Sequence, residues 1–131
     1  MSTIEYKLSV TKSFSSAHFL RGYKGRCENL HGHNWKIRVV FYGNKLDNTG
    51  MLIDFTDIKK HFDKIISYLD HKFLNETSPF DKINPSAENI ASFILEKFKD
   101  IETENAKIYE VEVWESKSSS ASAINFRHQP K

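Results

Sequence analysis

Cysteine is what this 131-residue chain has least of: Cys27 stands alone and can close no internal disulfide. A reducing, cytoplasmic setting is therefore expected, with Cys27 either a small buried hydrophobe or a working thiol. An excess of one charge is also missing. Nineteen Lys and Arg face seventeen Asp and Glu, a formal net charge of +2. That balance removes any general case for binding nucleic acid or a membrane surface, though it leaves room for a local basic pocket. No apolar run approaches the length of a membrane span, and Met1 to Lys7 lack the hydrophobic stretch of a signal peptide. Internal repeats and linkers are absent. What remains, 39% hydrophobic and 27% charged residues, is the composition of one globular domain over residues 1–131 with a real core.

Periodicity supplies the elements. Tyr6, Leu8 and Val10 alternate with Lys7, Ser9 and Thr11, the pattern of a half-buried strand, and Asn34 to Tyr42 reads as a second. From Phe55 the period changes: Ile58, Phe62, Ile65, Ile66 and Leu69 recur at helical spacing, with Asp54 or Thr56 as the cap. A long loop from His71 to Pro85 follows, of a length at which loops are usually functional. Ser86 then looks like the N-cap of a helix whose buried stripe is Ile90, Ile94 and Phe98. Tyr109, Val111 and Val113 form one apolar strand face, and Ser122 to Phe126 reads as the last strand, with Ser116 to Ser120 as the turn between them. The order β-β-α-α-β-β predicts an α+β fold, a four-stranded antiparallel sheet with both helices on one face. Its open edges predict pairing with further copies of the chain.

The chemistry concentrates around His31-Gly32-His33. Residues two apart on an extended strand point to the same side, and His18 ends the preceding strand-like run, so a three-histidine site is expected. Zinc held by three protein ligands keeps a fourth position open, the arrangement of catalytic rather than structural zinc. Cys27 sits in the polar stretch Arg26-Cys27-Glu28-Asn29, a poor core setting, where zinc and imidazoles would favour its thiolate. Asp70-His71 puts an acid beside an imidazole, which can fix its tautomer and relay protons; a histidine at a helix C-terminus is also favoured by the dipole alone. Glu115 continues the Tyr109, Val111, Val113 alternation, so its carboxylate should project with an apolar row, which is costly unless paired or bound to a ligand. Two adjacent N–H donors, as on a 2-amino-4-oxo heterocycle, would satisfy it; a strand ending before Glu115 would leave it in water. His61 and His128 read as ordinary polar residues.

In this order the motifs Phe14-Ser15-Ser16-Ala17-His18, Cys27-Glu28-Asn29-Leu30-His31-Gly32-His33, Met51-Leu52-Ile53-Asp54-Phe55, Leu69-Asp70-His71, Asn84-Pro85-Ser86-Ala87-Glu88-Asn89 and Val113-Trp114-Glu115 span nearly the whole chain. Together they resemble the 6-pyruvoyl-tetrahydropterin synthase superfamily. Within it, the Cys-x3-His-Gly-His spacing is similar to the 6-carboxytetrahydropterin synthases of queuosine biosynthesis, on a tRNA modification pathway. The resemblance implies that His18, His31 and His33 hold Zn2+ and that Cys27 abstracts a proton. It further implies that Asp70 and His71 form an acid–histidine relay, that Glu115 anchors the pterin and joins the relay, and that Ser86, where the family usually has Thr, contacts it. It implies the two-helix, four-strand "tunnelling" unit, with trimers closing a barrel and two trimers stacking into a homohexamer with active sites between subunits. The implied reaction is a lyase reaction without an external redox cofactor, from 7,8-dihydroneopterin triphosphate to 6-carboxytetrahydropterin, acetaldehyde and triphosphate. Arg21, Lys24 or Arg26 would hold the triphosphate at the entrance. Two other readings stand beside it: the sister pyruvoyl synthase, which eliminates triphosphate without cleaving the side chain, and a non-catalytic pterin- or zinc-binding protein, in which Cys27, Asp70 and His71 would have no task.

Overall fold

Alternation in the sequence becomes a sheet with one wet and one dry face. The computed structural model of the chain describes residues 4–22 and 30–126, with only the backbone of His31. Strand β1 (Tyr6–His18) pairs antiparallel with β2 (His31–Gly43), β2 with β3 (Lys107–Trp114), and β3 with β4 (Ser120–Ile124), giving the order β1-β2-β3-β4. Even-numbered residues of β1 (Val10, Phe14, Ser16, His18) and odd-numbered residues of β2 (Trp35, Ile37, Val39, Phe41) are buried on the inner face, as a two-residue repeat requires.

The helices α1 (Phe55–Leu69) and α2 (Ala87–Phe98) lie between β2 and β3 in the chain and cover that inner face. Asp54 caps α1 by accepting the Thr56 N–H at 2.8 Å, and Ser86 caps α2 by accepting the Asn89 N–H at 3.1 Å, so each cap residue satisfies a donor that its helix cannot. Ile58, Phe62, Ile65 and Leu69 of α1 meet Ile90, Ile94 and Phe98 of α2 in a single core with the sheet. Phe98 is its hub, edge-on to Phe62 and Phe41 at 5.4 and 5.9 Å; aromatic pairs in this orientation add about 0.5–1.5 kcal/mol beyond the area they bury.

Two expectations are corrected. β2 and β3 lose register between Val40 and Phe41, whose partners are Glu110 and Ile108, so Tyr109 is an extra residue. This bulge reverses the parity of β3: Ile108, fully buried, faces the core in place of Tyr109, and Tyr109 stacks edge-on with Tyr42 under the Lys7 ammonium on the other face. The last strand also begins two residues earlier and ends at Ile124 rather than Phe126. The free edge of β1 is partly closed within the chain, because His71 N–H donates to Ser15 O and Ala17 N–H to Lys72 O. Gly43 needs to be glycine for a steric reason: a Cβ there would lie 2.0 Å from the Asn105 carbonyl oxygen. No helix among the described residues is long and apolar enough to cross a membrane.

Candidate metal and proton-transfer site

The antiparallel register brings distant histidines together before any ligand is invoked. His18 pairs with His31 across the β1–β2 ladder, and Ser16 with His33, so His18 and His33 share the inner face at one end of the sheet. Their rings lie 5.0 Å apart at 70°. Both stand edge-on to the fully buried Trp35, at 4.9 and 5.3 Å. The indole thus forms an apolar floor beneath them.

Glu115 completes the cluster. β3 ends at Trp114, yet the register that pairs Trp114 with Lys36 carries the next residue toward Trp35 and His33. The Glu115 N–H is held by Ser119 O. Its Oε1 lies 3.6 Å from His18 Nε2 and 3.3 Å from His33 Nε2. Among the described residues, His18, His33 and Glu115 form the one group whose donor atoms, all within 4.8 Å of one another, could hold a metal ion.

The chemistry of this donor set fits a divalent metal. His18 is 4% exposed, and its Nδ1 sits 2.8 Å from the carbonyl oxygen of Pro85. A carbonyl can only accept, so Nδ1 carries the hydrogen, and Nε2 is the nitrogen turned to the cluster. An outer partner on the far nitrogen is what metal-ligating histidines normally have.

Asp70 and His71 form a second unit, outside that group. Asp70 Oδ1 accepts the Ser15 N–H at 2.9 Å, and Oδ2 lies 2.9 Å from His71 Nδ1. The Ser15 N–H foremost, aided by His71 and against partial desolvation, holds the Asp70 carboxyl below its ordinary range. The carboxylate thus faces His71 Nδ1 and leaves Nε2 on the outer side of the ring. His71 has φ +54°, a left-handed conformation costly for a residue with a Cβ. Its flanks enforce it. Besides the His71 N–H bond to Ser15 O, Lys72 N–H donates to Ser16 Oγ, and Ser16 Oγ donates to Leu69 O. Backbone strain over-determined in this way is typical of functional residues. The imidazole is 83% exposed and, with Ser15, Gly32, His33 and Asn34, lines an open depression.

The remaining expectations divide. Cys27, Lys24, Arg26 and His128 lie outside the described residues, as does the side chain of His31. Ser86 is a helix cap. Arg21 is not a loose cation at an entrance, since its guanidinium donates to the carbonyls of Asn75, Phe80 and Ile83. His61 is an ordinary polar residue bonded to Lys97 O. Sequence reasoning missed the Pro85 carbonyl, because a backbone oxygen leaves no signature in the residue type. It also missed the Trp35 floor, which strand alternation two residues past His33 could have revealed.

Residues 7–125 match the family model described as 6-pyruvoyl tetrahydropterin synthase. The chain is 33% identical over 123 residues to the 6-carboxy-5,6,7,8-tetrahydropterin synthase of a Synechocystis species, covering 90% of this chain and 92% of that one. It is 33% identical over 136 residues to the protein of the same name from Haemophilus influenzae, with 87% and 95% covered. Its structure is similar to that of the Caenorhabditis elegans 6-pyruvoyl tetrahydropterin synthase, with a TM-score of 0.80, 26% identity, and 93% and 96% of the two chains covered.

Proposed function

From the premise that the chain belongs to the 6-pyruvoyl tetrahydropterin synthase family, we propose that it is a zinc-dependent 6-carboxy-5,6,7,8-tetrahydropterin synthase. It converts 7,8-dihydroneopterin triphosphate to 6-carboxytetrahydropterin, acetaldehyde and triphosphate on the route to queuosine. The observation that carries this reading is the convergence of His18 Nε2 and His33 Nε2 on the Glu115 carboxylate, with the Asp70–His71 pair pinned to the adjoining strand.

In this reading His18, His31 and His33 hold the zinc ion. When bound, it supplies Lewis acidity toward the neighbouring hydroxyls of the substrate side chain, lowering their pKa as it does for water. Glu115 accepts two hydrogen bonds from the 2-amino-4-oxo edge of the pterin, and Ser86 contacts the same ring. Cys27, as thiolate, takes a proton from the substrate side chain. His71 gives or takes a proton at Nε2 while Asp70 Oδ2 holds Nδ1–H and stabilises the imidazolium when it forms. The chain works as a homohexamer with active sites between subunits. The open reaches of β1 and β4 are the edges available for such pairing.

The test is anaerobic incubation of zinc-loaded protein with 7,8-dihydroneopterin triphosphate, followed by mass spectrometry of the pterin and an acetaldehyde assay. A carboxypterin with stoichiometric acetaldehyde, abolished in Cys27→Ala protein that still holds zinc, is the expected result. A pyruvoyl product without acetaldehyde moves the chain to the sister reaction, and absence of turnover points to a pterin- or zinc-binding protein.

A further inference from the structure

The segment that follows His18 is fastened to the loop between α1 and α2 far more firmly than a surface turn needs to be. Asn84 accepts the Arg21 N–H through Oδ1 and donates through Nδ2 to the Arg21 carbonyl, both at 2.9 Å. Asn75 does the same for Phe19, again at 2.9 Å each way. Each amide imitates a strand partner and holds the chain by both its backbone groups. The Arg21 side chain then reaches across the loop, over the Phe19 ring, and donates to Asn75 O at 3.0 Å, Phe80 O at 2.6 Å and Ile83 O at 3.3 Å. Asn89 braces the same place from α2, donating to Asn84 O at 2.8 Å. The residue after Asn84 is Pro85, whose carbonyl holds His18 Nδ1.

We infer that Arg21 is a positioning residue for the metal-binding imidazole of His18, acting through the Asn84–Pro85 backbone. The inference rests on the reading that His18 and His33 hold a divalent metal. A guanidinium with donors in a fixed fork can tie three carbonyls at once, which a lone ammonium does less well. With the guanidinium removed, the loop loses three bonds on one side of Asn84, and the Pro85 oxygen is held against His18 less firmly, by the Asn84 and Asn89 amides alone. Loss of such an outer partner lowers metal affinity by about 10- to 100-fold. Since Arg21 acts one step further out, the lower end of that range is expected.

The experiment is competitive titration of the full-length protein with Co2+, reading both the dissociation constant and the visible d–d spectrum. Arg21→Ala is expected to bind Co2+ about 10-fold more weakly with an altered spectrum, and Arg21→Lys to recover part of the affinity. Ile94→Val, a core truncation remote from the loop, serves as a control that lowers stability and leaves Co2+ binding unchanged. Should Arg21→Ala fail to fold, Asn89→Ala removes a single brace and is expected to weaken binding a few-fold. Wild-type affinity and spectrum in the folded variant would overturn the inference. So would an equal loss in Ile94→Val, or an effect confined to KM for a triphosphate substrate, which returns Arg21 to the entrance. If the unaltered protein binds no Co2+, the metal reading fails first, and that result is distinguishable from all the others.

Discussion

The left-handed backbone at His71 makes a prediction whose sign is unusual. At an ordinary helical or extended position, glycine is less stable than alanine by about 0.5–1 kcal/mol, because it loses more freedom on folding. At φ +54° the order should reverse. A Cβ in this region costs about 1–2 kcal/mol, which exceeds the entropic advantage of alanine, so His71→Gly should be more stable than His71→Ala by about 1 kcal/mol. Both variants lack the imidazole and its contact with Asp70, so the comparison isolates the backbone. The conformation cannot relax away, because the His71 N–H is bonded to Ser15 O, and Ala17 N–H reaches Lys72 O on the other side. Urea unfolding of the two proteins under identical metal-free conditions measures the difference, and a Tm gap of about 3–6 °C should accompany it. Turnover should be lost in both, since neither carries a proton-exchanging ring. Equal stabilities, or alanine the more stable, would show that the strand and loop do not enforce the strained conformation, and the argument from strain to function would fall.

Other consequences can be checked alongside it. Glu115→Gln removes the charge from the proposed pterin anchor and should lower kcat/KM by about 10- to 100-fold, as expected for charged hydrogen bonds, while zinc content by atomic emission stays near that of the parent protein; loss of the metal would instead make Glu115 a ligand. The Asp70 carboxyl is held below its ordinary value, chiefly by the Ser15 N–H, so the stability it contributes is fully present above the ordinary carboxyl pKa of about 4. That contribution disappears as pH falls through the lowered value, and the stability gap between the parent and Asp70→Asn should shrink in urea titrations carried from neutral into acid pH. Phe62, fully buried beside Phe98, should cost about 3–5 kcal/mol when cut to alanine, measured by the shift in urea midpoint at constant slope.

Much of the molecule was legible before folding because its signals are local. Alternation in Tyr6 to Val10, helical spacing in Ile58 to Leu69, and the oxygens of Asp54 and Ser86 ahead of their helices each follow from the geometry of one element. The strand and helix order, the caps and the sheet with its two covering helices came out as expected for that reason. The meeting of His18 and His33 on one face was also within reach, since both lie on strand faces of known parity.

Tertiary structure decided what depends on two segments meeting. The extra residue at Tyr109 exists only relative to β2, so the reversal that buries Ile108 and exposes Tyr109 on the outer face had no signature in β3 alone. Glu115, one residue past the end of its strand, reaches the imidazoles because the β2–β3 register carries it there. The φ of His71 is imposed by Ser15 and Ser16 from another strand, and Arg21 found carbonyl partners some sixty residues away rather than solvent. Sequence fixes which groups are available and which way each element turns them. Which nitrogen of His18 faces the site is decided by a carbonyl oxygen at Pro85, and every residue has a carbonyl, so only the fold can single one out.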